Sequence, residues 1–79
     1  MTIKILGTGC PNCQKLEALT RQAGEELNIQ AIFEKVTDID KIVEYGIART
    51  PGLVINDKVV SSGRIPAVSQ IKTWIQEAE

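Results

Sequence analysis

Gly9-Cys10-Pro11-Asn12-Cys13-Gln14-Lys15-Leu16-Glu17-Ala18-Leu19 holds both cysteines of this 79-residue chain, two residues apart. Pro11 suits the first turn of a helix, where its missing N–H goes unnoticed. From there Leu16, Leu19, Ala23 and Leu27 recur at spacings of three and four, the apolar stripe of an amphipathic helix. Gly24 weakens that helix locally and Asn28 is its expected end. The cysteine pair therefore belongs to a loop-to-helix junction. Side chains three apart on a helix have Cβ atoms about 5–6 Å apart, close enough to close a disulfide with a small adjustment of the first turn.

The elements on either side of this junction follow from the pattern. Residues 2–6 read as a strand of β-branched and aliphatic residues, ended by Gly7 and the loop Gly7-Thr8-Gly9. Residues 31–36, Ala-Ile-Phe-Glu-Lys-Val, predict a second strand. Thr37 and Asp38 are helix-start residues, and Ile39, Ile42, Val43 and Gly46 keep helical spacing, giving a short helix to about Tyr45. Arg49-Thr50-Pro51-Gly52 breaks the chain. Leu53-Val54-Ile55 is an apolar run of the kind covered on both faces. Asn56 and Asp57 tolerate positive φ and predict a tight hairpin into a strand at Lys58–Ser61. Pro66 is expected to start a last helix with Val68, Ile71, Ile75 and Ala78 on its apolar face and Trp74 partly buried beside it. The order is β-α-β-α-β-β-α. This is an α/β chain with a mixed four-stranded sheet and three helices, and residues 1–79 make one small domain.

Composition narrows the function. Nine basic and ten acidic residues build no basic field, so nucleic acid is not an expected partner. The three aromatics, Phe33, Tyr45 and Trp74, form no stacking platform. The chain has no apolar run long enough to span a membrane, and the first apolar stretch is too short for a signal peptide. A cytoplasmic monomer is expected. In that compartment thiols are mostly kept reduced, so paired cysteines are more often catalytic or metal-binding than structural. The absence of histidine removes Cys-His and Ser-His-Asp nucleophile systems and the commonest zinc ligand.

Three readings of Cys10 and Cys13 remain at this point. A closed zinc site needs four ligands and would require carboxylates or a second subunit. A soft-metal or metalloid carrier needs only two thiolates. Inert packing needs nothing. Redox chemistry fits the context best. Free backbone N–H groups and the positive end of the helix dipole favour a thiolate at Cys10. Cys13 continues the buried stripe through Leu16 and is the more protected thiol. In that reading Cys10 attacks a partner disulfide and Cys13 then releases the reduced partner, with no metal or organic cofactor. Thr8 and Asn12 border the thiols. Lys15, Glu17 and Arg21 read as a solvated helix face.

A strand, a C-P-x-C at a helix start and a Thr-Pro before an apolar strand together resemble the thioredoxin superfamily. Residues 7–13 and 49–56 most resemble the small prokaryotic thioredoxin-like redox-active disulfide proteins, and the resemblance spans essentially the whole chain. It implies a thioredoxin-like fold and a protein-disulfide oxidoreductase with a disulfide-containing protein substrate and an upstream thiol reductase. It also implies a cis Thr50-Pro51 bond beside the cysteines, and a substrate site framed by Gly9, Pro11, Asn12, Thr50 and Pro51. Two departures stand out. Thioredoxins proper carry a buried acid on the strand before the motif, where this chain has Lys4 and no acid. Glutaredoxins carry a Gly-Gly-Asp-type turn before the last helix, where this chain has Ser61-Ser62-Gly63-Arg64, so glutathione use is not expected.

Overall fold

In the computed structural model, which describes residues 1–78, the alternating helix and strand signals become seven elements in the expected order: β1 (Thr2–Leu6), α1 (Pro11–Glu26), β2 (Ile32–Val36), α2 (Ile39–Glu44), β3 (Gly52–Ile55), β4 (Lys58–Ser62) and α3 (Val68–Ala78). The strands form one mixed sheet in the order β2-β1-β3-β4. β1 and β2 are parallel, joined through α1, with Ile3 opposite Phe33 and Ile5 opposite Lys35. β3 runs antiparallel to β1, and β4 antiparallel to β3 with an irregularity at Leu53/Val54.

Strand alternation divides the core into two layers. Ile3, Ile5, Leu53 and Ile55 face one side and pack against Leu16 and Ala23 of α1 and Ile71 and Ile75 of α3. Leu6 and Val54 face the other side and pack against Ile42 of α2. All four residues of β3 are buried, as expected of a central strand covered on both faces. Asn56 and Asp57 both have positive φ (49° and 67°), the geometry of a two-residue hairpin turn. The Asn56 side chain accepts from Thr2 N–H at 3.1 Å and donates to the Ala78 carbonyl, tying the sheet's end to α3.

Several expectations are corrected in detail. α3 begins at Val68, two residues after Pro66. β4 extends one residue further, to Ser62, and α1 ends at Glu26, with Asn28 taking the left-handed turn just beyond it. On α2 only Ile42 is buried, whereas Ile39 and Val43 are exposed. Six residues are too few to turn a whole apolar face toward the sheet. Thr20, a polar residue between Leu16 and Ala23 on the buried face of α1, is fully buried, and its hydroxyl donates to the Leu16 carbonyl at 2.7 Å.

Candidate active site

The loop after β1 delivers Cys10 to the N-terminus of α1, where it is the N-cap residue with extended backbone (φ −65°, ψ 162°) and Pro11 follows in the first turn. The Cys10 sulfur accepts the Cys13 backbone N–H at 3.2 Å. A side-chain acceptor at this position satisfies one of the free N–H groups at the helix start. Cys10 is half-buried and Cys13 is buried, and the two are joined as a disulfide with their Cα atoms 5.0 Å apart. The pairing and the difference in access both match the reading from spacing and stripe register.

The sheet brings the Thr50-Pro51 segment toward the loop that carries the cysteines. Leu6 pairs with Gly52, which sets Gly7 beside the residues just before β3. A Cβ built on Gly7 would collide with the Cys13 sulfur and lie 4.0 Å from the Thr50 Cβ, so Cys13 and Thr50 converge on one glycine. The Thr50-Pro51 bond is cis. Thr50 is exposed, while Pro51 is buried, and its carbonyl accepts the Gly63 N–H at 2.9 Å. Gly9, Pro11 and Asn12 are exposed around Cys10. Gly9 takes positive φ (90°), and its carbonyl accepts from the Gln14 side chain. Thr8 and Arg64 are exposed.

One residue near the site was misread from the sequence. Glu17 does not lie on a solvated face. Its side chain is only 18% exposed, and it bridges Lys35 of β2 and Arg21 of α1, each at 3.1 Å. Burial pushes its carboxyl up, but the hydrogen bonds from Lys35 and Arg21 outweigh burial and hold it below its ordinary value of 4.5. Glu17 and Lys35 line a cavity of about 90 Å³ whose other walls include Ile5, Gly7, Cys13 and Thr37. The only available signal was the four-residue step from Cys13 to Glu17, one helical turn. The strand position that meets this cavity is Ile5. Lys4 points to the opposite side of the sheet, where its ammonium donates to the Tyr45 hydroxyl at 3.0 Å. An acid at position 4 would therefore not face Cys13. Among the described residues, no group of three or more His, Cys, Asp or Glu side chains is placed to hold a metal ion. No helix among them is long and apolar enough to cross a membrane.

Comparison with known proteins gives a consistent result. The family model for the thioredoxin domain matches residues 1–76. A thioredoxin of Methanothermobacter thermautotrophicus is 44% identical over 72 residues, covering 91% of this chain and 94% of that protein. A thioredoxin of Methanocaldococcus jannaschii is 43% identical over 72 residues, covering 91% of this chain and 83% of that protein. The crystal structure of the reduced Schistosoma mansoni thioredoxin pre-protein superposes with a TM-score of 0.65 at 21% identity, covering 99% of this chain and 78% of that one, which supports the fold.

Proposed function

The chain belongs to the thioredoxin family and is a protein-disulfide oxidoreductase, and on that premise we propose that Cys10 is its nucleophile and Cys13 its resolving thiol. The observation that carries the assignment is the asymmetry of one helical turn. The Cys10 sulfur caps the helix at a half-buried position, and Cys13 is 5% exposed beneath it.

The chemistry follows from that asymmetry. In the reduced protein, the Cys13 N–H and the helix N-terminus stabilise negative charge on Cys10 sulfur. The Cys10 thiolate attacks a partner disulfide, forming a mixed disulfide and expelling one partner thiolate. Cys13 then gives up its proton and attacks the Cys10 sulfur. The Cys10–Cys13 bond forms, the Cys10–partner bond breaks, and the second partner sulfur leaves as a thiolate. The partner has gained two electrons and the protein has lost them. An upstream thiol reductase restores the dithiol, and the working compartment is the cytoplasm, where such pools keep dithiols reduced.

Gly9, Pro11, Asn12, Thr50 and Pro51 frame the partner segment. Support comes from the exposure of Gly9, Pro11 and Asn12 next to Cys10 in the chain, and from exposed Thr50, whose Cβ would lie 4.0 Å from a Cβ at Gly7, the position that backs onto the Cys13 sulfur. The test is a Cys13→Ser variant, which is expected to accumulate a mixed disulfide through Cys10 with a cytoplasmic protein. Cys10→Ser is expected to trap nothing. A Cys10 thiol that alkylates no faster than a free cysteine near neutral pH, together with no trapped partner, overturns the assignment.

A further inference from the structure

We propose that Arg49 and Arg64 form a cationic rim beside the redox disulfide, which selects polypeptide segments carrying a carboxylate next to the target disulfide. The proposal rests on the exchange mechanism above and names the class of partner it serves. Arg49 immediately precedes Thr50 and the cis bond to Pro51. Arg64 follows Gly63, whose N–H donates to the Pro51 carbonyl at 2.9 Å, so the loop after β4 is tied to the same segment. Gly63 has positive φ (73°) and no side chain, and Arg49 packs against it: a Cβ built at residue 63 would lie 3.0 Å from the Arg49 Cβ and 3.4 Å from its Cδ. The aliphatic stem of Arg49 therefore rests on the loop that presents Arg64. Both arginines are exposed.

Neither charge is used inside the protein. The ion pairs among the described residues are Lys4–Asp57, Arg21–Glu17, Lys35–Glu17 and Lys72–Glu26, and none involves these arginines. Arg64 lines two open grooves, of about 350 and 440 Å³, and among the described residues no carboxylate lines either. The groove beside α2 is different, since its lysines, Lys4 and Lys41, share the walls with Glu34 and Glu44. Unbalanced positive charge thus stands where Thr50 approaches Gly7 and the Cys13 sulfur. A guanidinium offers its N–H donors in a fork that matches a carboxylate. Two of them at this rim speed the encounter with an anionic segment and repel a cationic one. The exchange itself is unchanged: the Cys10 thiolate forms the bond to one partner sulfur, and the other partner sulfur leaves with the electron pair of the old bond.

The test uses the reduced protein and short acetylated, amidated peptides whose central cysteine is flanked on both sides by Glu, Gln or Lys, each activated as its thiopyridyl disulfide. Attack of the Cys10 thiolate on the peptide sulfur forms the mixed disulfide and expels the coloured pyridine thione. Each rate is divided by that of dithiothreitol with the same peptide, which removes the peptide's own reactivity. Wild type is expected to favour the Glu peptide over the Gln peptide by about 3- to 10-fold at low salt, with the Lys peptide last, and to lose most of that preference at about 0.5 M salt. Arg49→Gln/Arg64→Gln is expected to bring the Glu-to-Gln ratio to about one, and Arg49→Lys/Arg64→Lys, which keeps the charge, to retain most of it. The ratio is taken within each protein, so a general change in Cys10 reactivity cancels. A wild-type protein with no preference between the Glu and Gln peptides overturns the proposal, as does a preference that the double Gln variant retains. Glutathione activated in the same way supplies carboxylates from another source. The double Gln variant is expected to lose less rate with it than with the Glu peptide, and a larger loss assigns the arginines to glutathione and overturns the polypeptide assignment. A wild-type protein that reacts with every peptide no faster than dithiothreitol overturns the exchange reading itself.

Discussion

Gly7 backs directly onto the sulfur of Cys13: a methyl group at residue 7 would occupy the space that this sulfur fills. The same position lies against Thr50, so the loop, the helix and the segment before β3 meet there without a side chain between them. The buried thiol keeps its place because residue 7 has none.

Gly7→Ala is therefore expected to displace Cys13 or the loop. Overpacking of this kind costs about 1–3 kcal/mol. Chemical denaturation of the oxidised variant checks the stability loss. Activity against a protein disulfide is expected to fall with it, and wild-type values for both would show that the loop yields freely.

Glu17 makes acid stability predictable in sign. Its carboxyl is held below its ordinary value of 4.5 in the folded protein, so ionisation favours folding. That contribution is complete above the unfolded value and is lost as pH falls through the lower folded one. The urea midpoint of wild type should thus drop below about pH 5, and Glu17→Gln should show a shallower drop over the same range. Parallel curves would mean that Lys35 and Arg21 do not hold the carboxylate in solution.

Ser61 carries a buried hydroxyl, with its side-chain oxygen unpartnered among the described residues. An unsatisfied buried polar group costs about 1–3 kcal/mol. Ser61→Ala removes it at almost constant volume, so thermal unfolding should move upward. A lower midpoint would reveal a hydrogen bond that forms in solution.

Asp57 holds positive φ at the second hairpin position, where glycine is the preferred residue. Its ion pair with Lys4 spans 3.7 Å with Asp57 85% exposed, a weak contact. Asp57→Gly should raise stability by about 0.5–1 kcal/mol as backbone strain outweighs the lost pair. Equilibrium denaturation decides this, and a destabilised variant would place more weight on the Lys4 contact.

Much of this was written locally. The stripe Leu16, Ala23 and the run Leu53-Val54-Ile55 announced a helix and a central strand, because burial periodicity is set by backbone geometry alone. Cys10 and Cys13 were legible for the same reason: a spacing of three on a helix brings two side chains together wherever the helix is placed. Asn56-Asp57 announced its turn through the φ values these residues tolerate. The start of α3 was not legible, since Pro66 marks only where a helix is permitted to begin. Ile39 and Val43 kept helical spacing yet stay exposed, because spacing does not reveal how much sheet lies beneath a short helix.

Pairing across the sheet lay beyond local pattern. Placing β2 beside β1, with Ile5 opposite Lys35, carries a lysine from residue 35 to the carboxylate of residue 17. The same register turns Lys4 away from the cysteines and makes Ile5 the strand's contribution to their cavity. Local backbone preference assigned the two thiols to a helix end. The surroundings of the inner thiol came from contacts between residues distant in the chain, whose partners exist only once the sheet order and register are set.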